Sequence, residues 1–509
     1  MYIIPDTNIR VLKNCPLDNT YDHTIFFTSR AQQTAYFQSL TKHKFEKQSY
    51  ARVQRGMLRL ERKAEDLYDC NYLMFQNSSF GEKWFYAFIT GIEYVNNVTS
   101  EITFEIDVMQ TWFFDYTLEQ CYVEREHVLN DTIGANLLSE PVELGEYTFD
   151  GFTTSGKMKT PIVVLASNVG ENGQEFHGGM VGGIYSGVYY TPYACTDAGI
   201  QKLNEDLDNF KTWDELVENI VACFMYYHEF MQKDEPGAVT SWRPATYQIS
   251  KPKHYSDIDG YVPRNNKLFT YPYNYLLVTT DTGESFEGRY EYFSTDDCTF
   301  NIIGDVSPDP QVMCEPRFYK GCGYLRNERI TLAAFPQCTF NIDAFKAWFA
   351  QTATNPSTIS NAAQMAMSGA EIGGSVGAGV GAALSLLETS IGGMLSWINP
   401  PEIKGTTKTS VSYASGSKDF YFFPCTIRTD FAKRIDDFFD VYGYKVNQHK
   451  IPNRNGRAHW NYVKNGYTNI KGSLPADDMS KIVSIYNRGI TFWNDGNEIG
   501  NYSLNNYIR

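Results

Sequence analysis

The chain has 509 residues, enough for about three folding units and a large buried core. Hydrophobic residues make up 42% and charged residues 20%, which excludes a disordered tail; aromatics reach 15%, with 36 Tyr and 33 Phe, and favour strands. Lys+Arg total 44 against 59 Asp+Glu, a formal net charge of -15, which excludes an electrostatic grip on nucleic acid but not the passage of DNA along a repelling channel.

The first 130 residues read as strands. In Glu101 to Met109, the apolar Ile102, Phe104, Ile106 and Val108 alternate with Glu101, Thr103, Glu105 and Asp107, a period of two with one dry and one wet face. Before it, Lys83 to Val95 carries the run Trp84, Phe85, Tyr86, Ala87, Phe88, Ile89. Asn96 and Asn97 between the two tolerate positive φ, so the pattern predicts a long β-hairpin with Glu101, Glu105 and Asp107 on its wet face.

From about Asp150 to Phe345 the chain is mixed. Thr212-Trp213-Asp214-Glu215 fits a capping box, and Leu216, Ile220 and Cys223 follow at helical spacing; a preceding helix carries Ile200, Leu203 and Leu207. Beyond Pro236 the richness in Tyr, Pro and Gly predicts strands joined by long loops.

Between Lys346 and Glu402 lie 55 residues with only two charges, Glu371 and Glu388, where the chain average would give about eleven. Gly369, Gly373, Gly377 and Gly381 recur every four residues, which in a helix makes one smooth groove for close backbone approach. Val376, Val380, Leu384 and Leu387 take the other faces. Ile391, Met394 and Leu395 follow, then Trp397, a residue type that settles at membrane interfaces, and Pro400-Pro401 ends the stretch.

A fixed transmembrane anchor needs about 20 apolar residues, and the best uncharged run, Ile372 to Leu387, has 16. A plain flexible linker seldom carries this much Ile, Val, Leu, Met and Trp. The composition favours a loop that becomes membrane-active once released. Glu371 and Glu388 oppose insertion while ionised, so acidification is expected to promote it.

The last hundred residues return to α+β. Phe431, Ile435, Phe438, Phe439 and Tyr442 form one helical stripe that Gly443 stops. A second helix shows Met479, Ile482, Val483 and Tyr486 on one face, with Asp477 and Asp478 in its first turn and Gly489 past its end.

Chemistry-bearing motifs fail on context. Gly373-Gly374-Ser375-Val376-Gly377 fits G-x-S-x-G, but no β-branched strand precedes it and the glycine ladder already explains its glycines. In His228-Glu229 the second His of a zinc-protease helix is replaced by Gln232. Asp257-Ile258-Asp259-Gly260 is an acidic turn and not a complete calcium loop, and His127 reads as a satisfied structural residue. Ten scattered cysteines without C-x-x-C are expected as reduced thiols, and Met1 to Asn14 lacks the apolar core of a secretory signal. No catalytic step, metal or cofactor is expected.

Several ungapped stretches resemble the tail knob (distal tail tube) family of small short-tailed phages, the picovirus type, that infect Gram-positive bacteria. They are Asn71-Tyr72-Leu73-Met74-Phe75-Gln76-Asn77, Lys83 to Phe88, Phe104 to Trp112 and Arg125-Glu126-His127-Val128, then Tyr442 to Asn447, Arg488 to Trp493 and Ile499 to Ser503.

The resemblance implies an α+β, β-rich fold: a tube-wall domain built from both chain ends (1–150 and 405–509), an inserted knob domain (151–345) and a long hydrophobic loop (346–404). It implies a hexameric ring at the tail tip that conducts DNA without binding it, joins other tail proteins, and inserts its loop into host membrane lipid to open a pore for genome ejection. The place would be the virion, after synthesis in the host cytoplasm, with action at the host membrane. On that reading the carboxylates of Glu101, Glu105 and Asp107 line the lumen and repel the phosphate backbone. The alternatives are a receptor-binding tail adhesin without membrane activity, a wall-degrading hydrolase, and a tube protein whose Gly-rich segment is only a stopper.

Overall fold

The computed structural model describes residues 6–48, 56–77, 81, 83–167, 220–233, 242–280, 283–324, 328–333 and 418–509, with short pieces between 180 and 206 and at 335–338. Two compact units emerge. The first takes Met1–Glu143, Pro263–Leu268 and Asp430–Arg509; the second takes Leu144–Val262 and Phe269–Thr429. Both are rich in strands.

The first unit contains a six-stranded antiparallel sheet, in the order Thr41–Gln48, Thr7–Lys13, Cys70–Asn77, Trp84–Asn96, Thr99–Ile106, Met57–Leu60. The expected hairpin is its longest element: Trp84–Asn96 pairs antiparallel with Thr99–Ile106 from Ala87↔Ile106 to Asn96↔Thr99. Its turn is not made by positive φ at Asn96 or Asn97. Instead Oδ1 of Asn96 accepts from the Val98 amide at 2.9 Å, an Asx turn, and the Tyr94 hydroxyl donates to Asn97 Oδ1 at 2.7 Å.

A second sheet of this unit mixes the two ends of the chain. Its order is His23–Ile25, Ile490–Trp493, Trp460–Tyr467, Cys121–Glu126, Tyr444–Lys450. Around it one core draws on both ends: Leu12, Phe37, Tyr72, Tyr86 and Phe88 pack in the same cluster as Val463, Ile482, Tyr486 and Phe492. The Trp112 indole donates to Asp478 at 2.9 Å, and the Tyr116 and Tyr486 hydroxyls meet at 3.0 Å.

Both C-terminal helices form. Thr429–Tyr442 buries Ala432, Ile435 and Phe439, while Phe438 is half-buried under the Arg125 guanidinium and Tyr442 is exposed. Gly443 stops it as read, with φ +64° and its amide bonded to Phe439 O at 2.8 Å. Ala476–Arg488 buries Ile482, Ile485 and Tyr486, so Ile485 replaces Val483 on the core face.

The second unit has three main sheets. One runs Tyr189–Ala194, Pro161–Ser167, Ile220–Tyr227, Gln337–Cys338; another runs Thr246–Pro252, Asp297–Asp305, Gln311–Tyr319, Cys322–Tyr324, with Ile330–Leu332 beside Gln311–Tyr319. In the third, Tyr147–Phe149 and Thr153–Thr154 both pair with Phe420–Ile427, which pairs with Asn274–Thr280 and then Ser285–Gly288. The core is aromatic, with Phe224, Tyr226, Phe230, Tyr290, Phe300 and Phe422 in one cluster.

Three expectations are corrected. Ile220 and Cys223 lie on a strand, not a helix. Ile220–Tyr227 is a continuous apolar run, and periodicity alone cannot separate such a strand from a buried helix. The box Thr212–Glu215 and Leu216, Ile200 and Leu207 fall outside the described residues, while Leu203 is buried. The strand read through Met109 ends at Ile106, because Asp107 caps the helical turn Val108–Thr111. Finally, the return to the first unit comes at Asp430 and not at 405, since Phe420–Ile427 pairs within the second unit.

At Gly443 the two chain ends approach each other backbone to backbone. A Cβ there would collide with the backbone carbonyl of Glu126, in a conformation that disfavours any side chain. Gly443→Ala should therefore destabilise by about 2–4 kcal/mol, seen as a lower urea midpoint of the full chain. An unchanged midpoint would disprove the tight approach.

Candidate functional site

Every residue of the segment expected to be membrane-active lies outside the described residues: Gly369, Gly373, Gly377, Gly381, Val376, Val380, Leu384, Leu387, Ile391, Met394, Leu395 and Trp397, and with them Glu371 and Glu388. Among the described residues no helix is long and apolar enough to cross a membrane.

The hairpin acids sit in three environments. Glu101 is buried on its strand, where Arg59 is its register partner and donates from Nε at 2.8 Å, while Glu93 stands opposite on the other side. Glu105 is partly exposed and ion-paired with Lys481. Asp107 does not face a surface of its unit at all, being 1% exposed. Its Oδ1 accepts from the amides of Met109 and Gln110 at 3.0 and 3.1 Å, and its Oδ2 from the Tyr72 hydroxyl at 2.8 Å. Burial pushes its carboxyl up to about 6 despite these donors. Alternation failed there because an Asp before a helical turn is a cap, and the chain had stopped being a strand.

A dense polar constellation among the described residues is one that strand and helix periodicity do not announce. Pro263–Leu268 leaves the middle of the sequence to join the first unit. It is held by acids of the helix Thr429–Tyr442. Asp436, fully buried, accepts from the Arg264 amide at 2.8 Å and from the Asn265 amide and Nδ2 at 3.1 and 2.9 Å. Asp440 accepts from Asn265 Nδ2 at 2.8 Å and pairs with Arg264 at 2.7 Å; Asp437 pairs with the same guanidinium at 2.5 Å.

The N-terminal part supplies the other jaw. Asp131 accepts from the Asn266 amide at 3.1 Å and from the Tyr444 hydroxyl at 2.6 Å. Glu140 pairs with Lys267 at 2.5 Å and with Arg125, and accepts from the Lys445 amide at 2.9 Å. His127 accepts from the Tyr462 amide at Nδ1, so its proton is on Nε2 and donated to Asp440 O at 2.9 Å. Burial and the nearby Arg457 push this imidazole down to about 3, so it stays neutral, a structural residue as expected.

Beside this clasp opens a cleft of about 460 Å³, lined by Asp131, Arg264, Asp440, Arg457 and Asn506 among others. Its acids are bound to cations and amides, and no cluster among the described residues could hold a metal ion. The arrangement ties three separate stretches of chain at one place. The sequence did carry a signal for it. Asp440 lies in the last turn of its helix, which carries no basic residue and where the dipole disfavours an anion, so it needs a cation or an amide from elsewhere.

Burial, with Asp436 and Asp437 beside it, raises the Asp440 carboxyl to about 6 although Asn265 and Arg264 pull the other way. A folded-state value above the ordinary 3.8 means that the native state holds the proton more tightly. This group's contribution is therefore most favourable below about pH 4 and is lost as pH rises through about 6. Asp440→Asn should remove on the order of 1–2 kcal/mol of the stability difference between pH 5 and pH 7, read from paired urea melts. Parallel pH profiles of variant and parent would refute this assignment.

Comparison with known proteins agrees with this architecture. The family model for the C-terminal domain of the Bacillus phage phi29 tail knob protein gp9 matches residues 238–507, and a second, for the N-terminus of caudoviral major tail proteins, matches residues 5–117. The tail knob protein gp9 of Bacillus phage B103 is 25% identical, with 99% of each chain covered, and that of phage phi29 is 24% identical over 99% of each. The structure of the bacteriophage C1 tail knob protein gp12 superposes with a TM-score of 0.61 at 15% identity, covering 99% of this chain and 100% of the other, a likeness of fold. With more than half of its length matched by the gp9 model, the chain belongs to the phi29-type tail knob protein family and is a structural protein of a phage tail.

Proposed function

We propose that this tail protein forms a hexameric tube at the tail tip, conducts DNA through it, and uses residues 346–404 to breach the host membrane for genome ejection. The observation that carries the membrane half is compositional: 55 consecutive residues with two charges, in a chain that is otherwise 20% charged. The glycine ladder gives those residues a means of close self-association, and their Ile, Val, Leu and Trp give an apolar surface that lipid accepts and water does not.

The tube half is supported by the mixed sheet, in which both chain ends make one unit and leave the middle as an insertion. A conduit must not hold the polymer it passes. A net charge of -15 serves that need, because phosphates are repelled and no counterions are released to favour binding. Of the lumen candidates, Glu105 keeps an accessible carboxylate and Glu101 lies beneath Arg59, while Asp107 serves as an internal cap.

Dye release from liposomes tests the membrane half. The intact protein should empty vesicles, more strongly at pH 5 than at pH 8 because protonated Glu371 and Glu388 cost less to insert. A deletion of Pro356 to Pro400 should lose the activity while keeping its oligomeric state. Equal leakage from parent and deletion would end the case for this segment, and equal leakage at both pH values would end the acid step. Host binding that maps to residues 151–345, with no leakage from either protein, would favour an adhesin.

A further inference from the structure

On one sheet of the second unit three neighbouring strands carry aromatics on the outward face, while the edge strand Ser285–Gly288 places Glu287 there, opposite Leu277. Strand Phe420–Ile427 alternates: Phe420 and Phe422 point into the core, and Phe423 does not. Across the ladder Leu277 stands opposite Phe423, and Tyr275 and Phe149 both stand opposite Cys425, so these side chains share a face. Phe149 lies 5.7 Å from Phe423 and Phe152 lies 5.6 Å from it, ring centroid to centroid, and Tyr147 lies 5.6 Å from Tyr275.

The rings of this face pack on one another but are not covered. Phe149 is 56% and Phe152 is 59% exposed, and Tyr147, Tyr275, Leu277 and Phe423 are each partly exposed. Isolated exposed hydrophobics need no explanation, whereas a contiguous aromatic patch marks a contact surface. Strand pairing explains why it is contiguous. Alternate residues on three adjacent strands fall on one side, and each of these strands places an aromatic there.

We infer that this aromatic face is the surface by which one copy of the chain packs against the next copy in the tail. The inference deepens the oligomeric tube proposed above and rests on it. The area argues for a second copy. The six side chains leave roughly 400 Å² of apolar surface in water, from about 200 Å² per large side chain. A standard interface buries about 800 Å² per partner, of which somewhat over half, roughly 450 Å², is apolar. The face therefore supplies nearly the whole apolar complement of one such interface. In a ring each copy would bury it once, against a different surface of its neighbour.

Oxidative footprinting of the wild-type assembly, with sedimentation velocity on the same samples, tests this. In the assembled state Phe149 and Phe152 should be protected at least fivefold relative to the dilute, dissociated chain. The double variant Phe149→Ser, Phe152→Ser should keep the far-UV spectrum and dissociate at least tenfold more readily. An assembled wild type with both residues fully reactive would overturn the inference and leave the oligomeric tube standing. A wild type that stays monomeric at all concentrations would overturn both. Protection that persists in monomer and disappears when Pro356 to Pro400 is deleted would assign the face to the chain's own Gly-rich segment and overturn a second copy as its occupant.

Discussion

The structure depends on one ladder, the pairing of Cys121–Glu126 with two strands from the far end of the chain. Trp460–Tyr467 lies on one side of it and Tyr444–Lys450 on the other. Glu126 ends this strand fully buried, paired with Lys450 and accepting from the Asn453 amide at 2.9 Å. Closing a loop of more than three hundred residues is entropically mild, since each doubling of length adds only about 0.6 kcal/mol. It is kinetically demanding, because nothing in the first unit's mixed sheet is rewarded until both ends of the chain exist. Once the ends are paired, the intervening chain can only be an excursion from that unit.

The excursion is pinned where it would otherwise be free. Pro263–Leu268 returns to the first unit in the middle of the sequence, and it does so through carboxylates. Asp436, Asp131 and Glu140 take amides and cations from that hexapeptide, and the same Asp131 and Glu140 hold Tyr444 and Lys445. Buried ion pairs add little net stability over apolar packing, but removing one partner costs about 3–5 kcal/mol, so only one arrangement of the three stretches satisfies every group. A structural part of a virion needs that uniqueness more than it needs extra stability.

How much of this was legible follows from which residues speak locally. The hairpin of Trp84–Asn96 and Thr99–Ile106 was legible because its alternation is long and its turn is bounded by asparagines. The two C-terminal helices were legible from their stripes and from Gly443 and Gly489, both at positive φ. Ile220–Tyr227 was misread because a strand that is apolar on nearly every residue has no period to read. Asp107 was misplaced because its role is set by where the strand stops, which alternation does not encode. The clasp could be sensed only as an anomaly, an acid in the last turn of a helix with two more a turn before it; their partners lie about 170 residues earlier, and no local rule reaches that far.

Two apolar features in one acidic chain pose a problem that ionic strength resolves. A charge of -15 per copy opposes assembly at long range, but at physiological salt that repulsion is screened within about 8 Å, while apolar contact is not weakened by salt in this range. About 400 Å² of apolar surface gives a gross contribution of about 10 kcal/mol, comparable with the 4–15 kcal/mol that immobilising a partner costs. A single contact through the aromatic face would therefore be marginal. Closing a ring adds one further contact without a further loss of translational and rotational freedom, so in the proposed tube closure and not pairing would be the favourable step. On that proposal the chain would stay dispersed at low concentration and assemble once enough copies are present to close the ring.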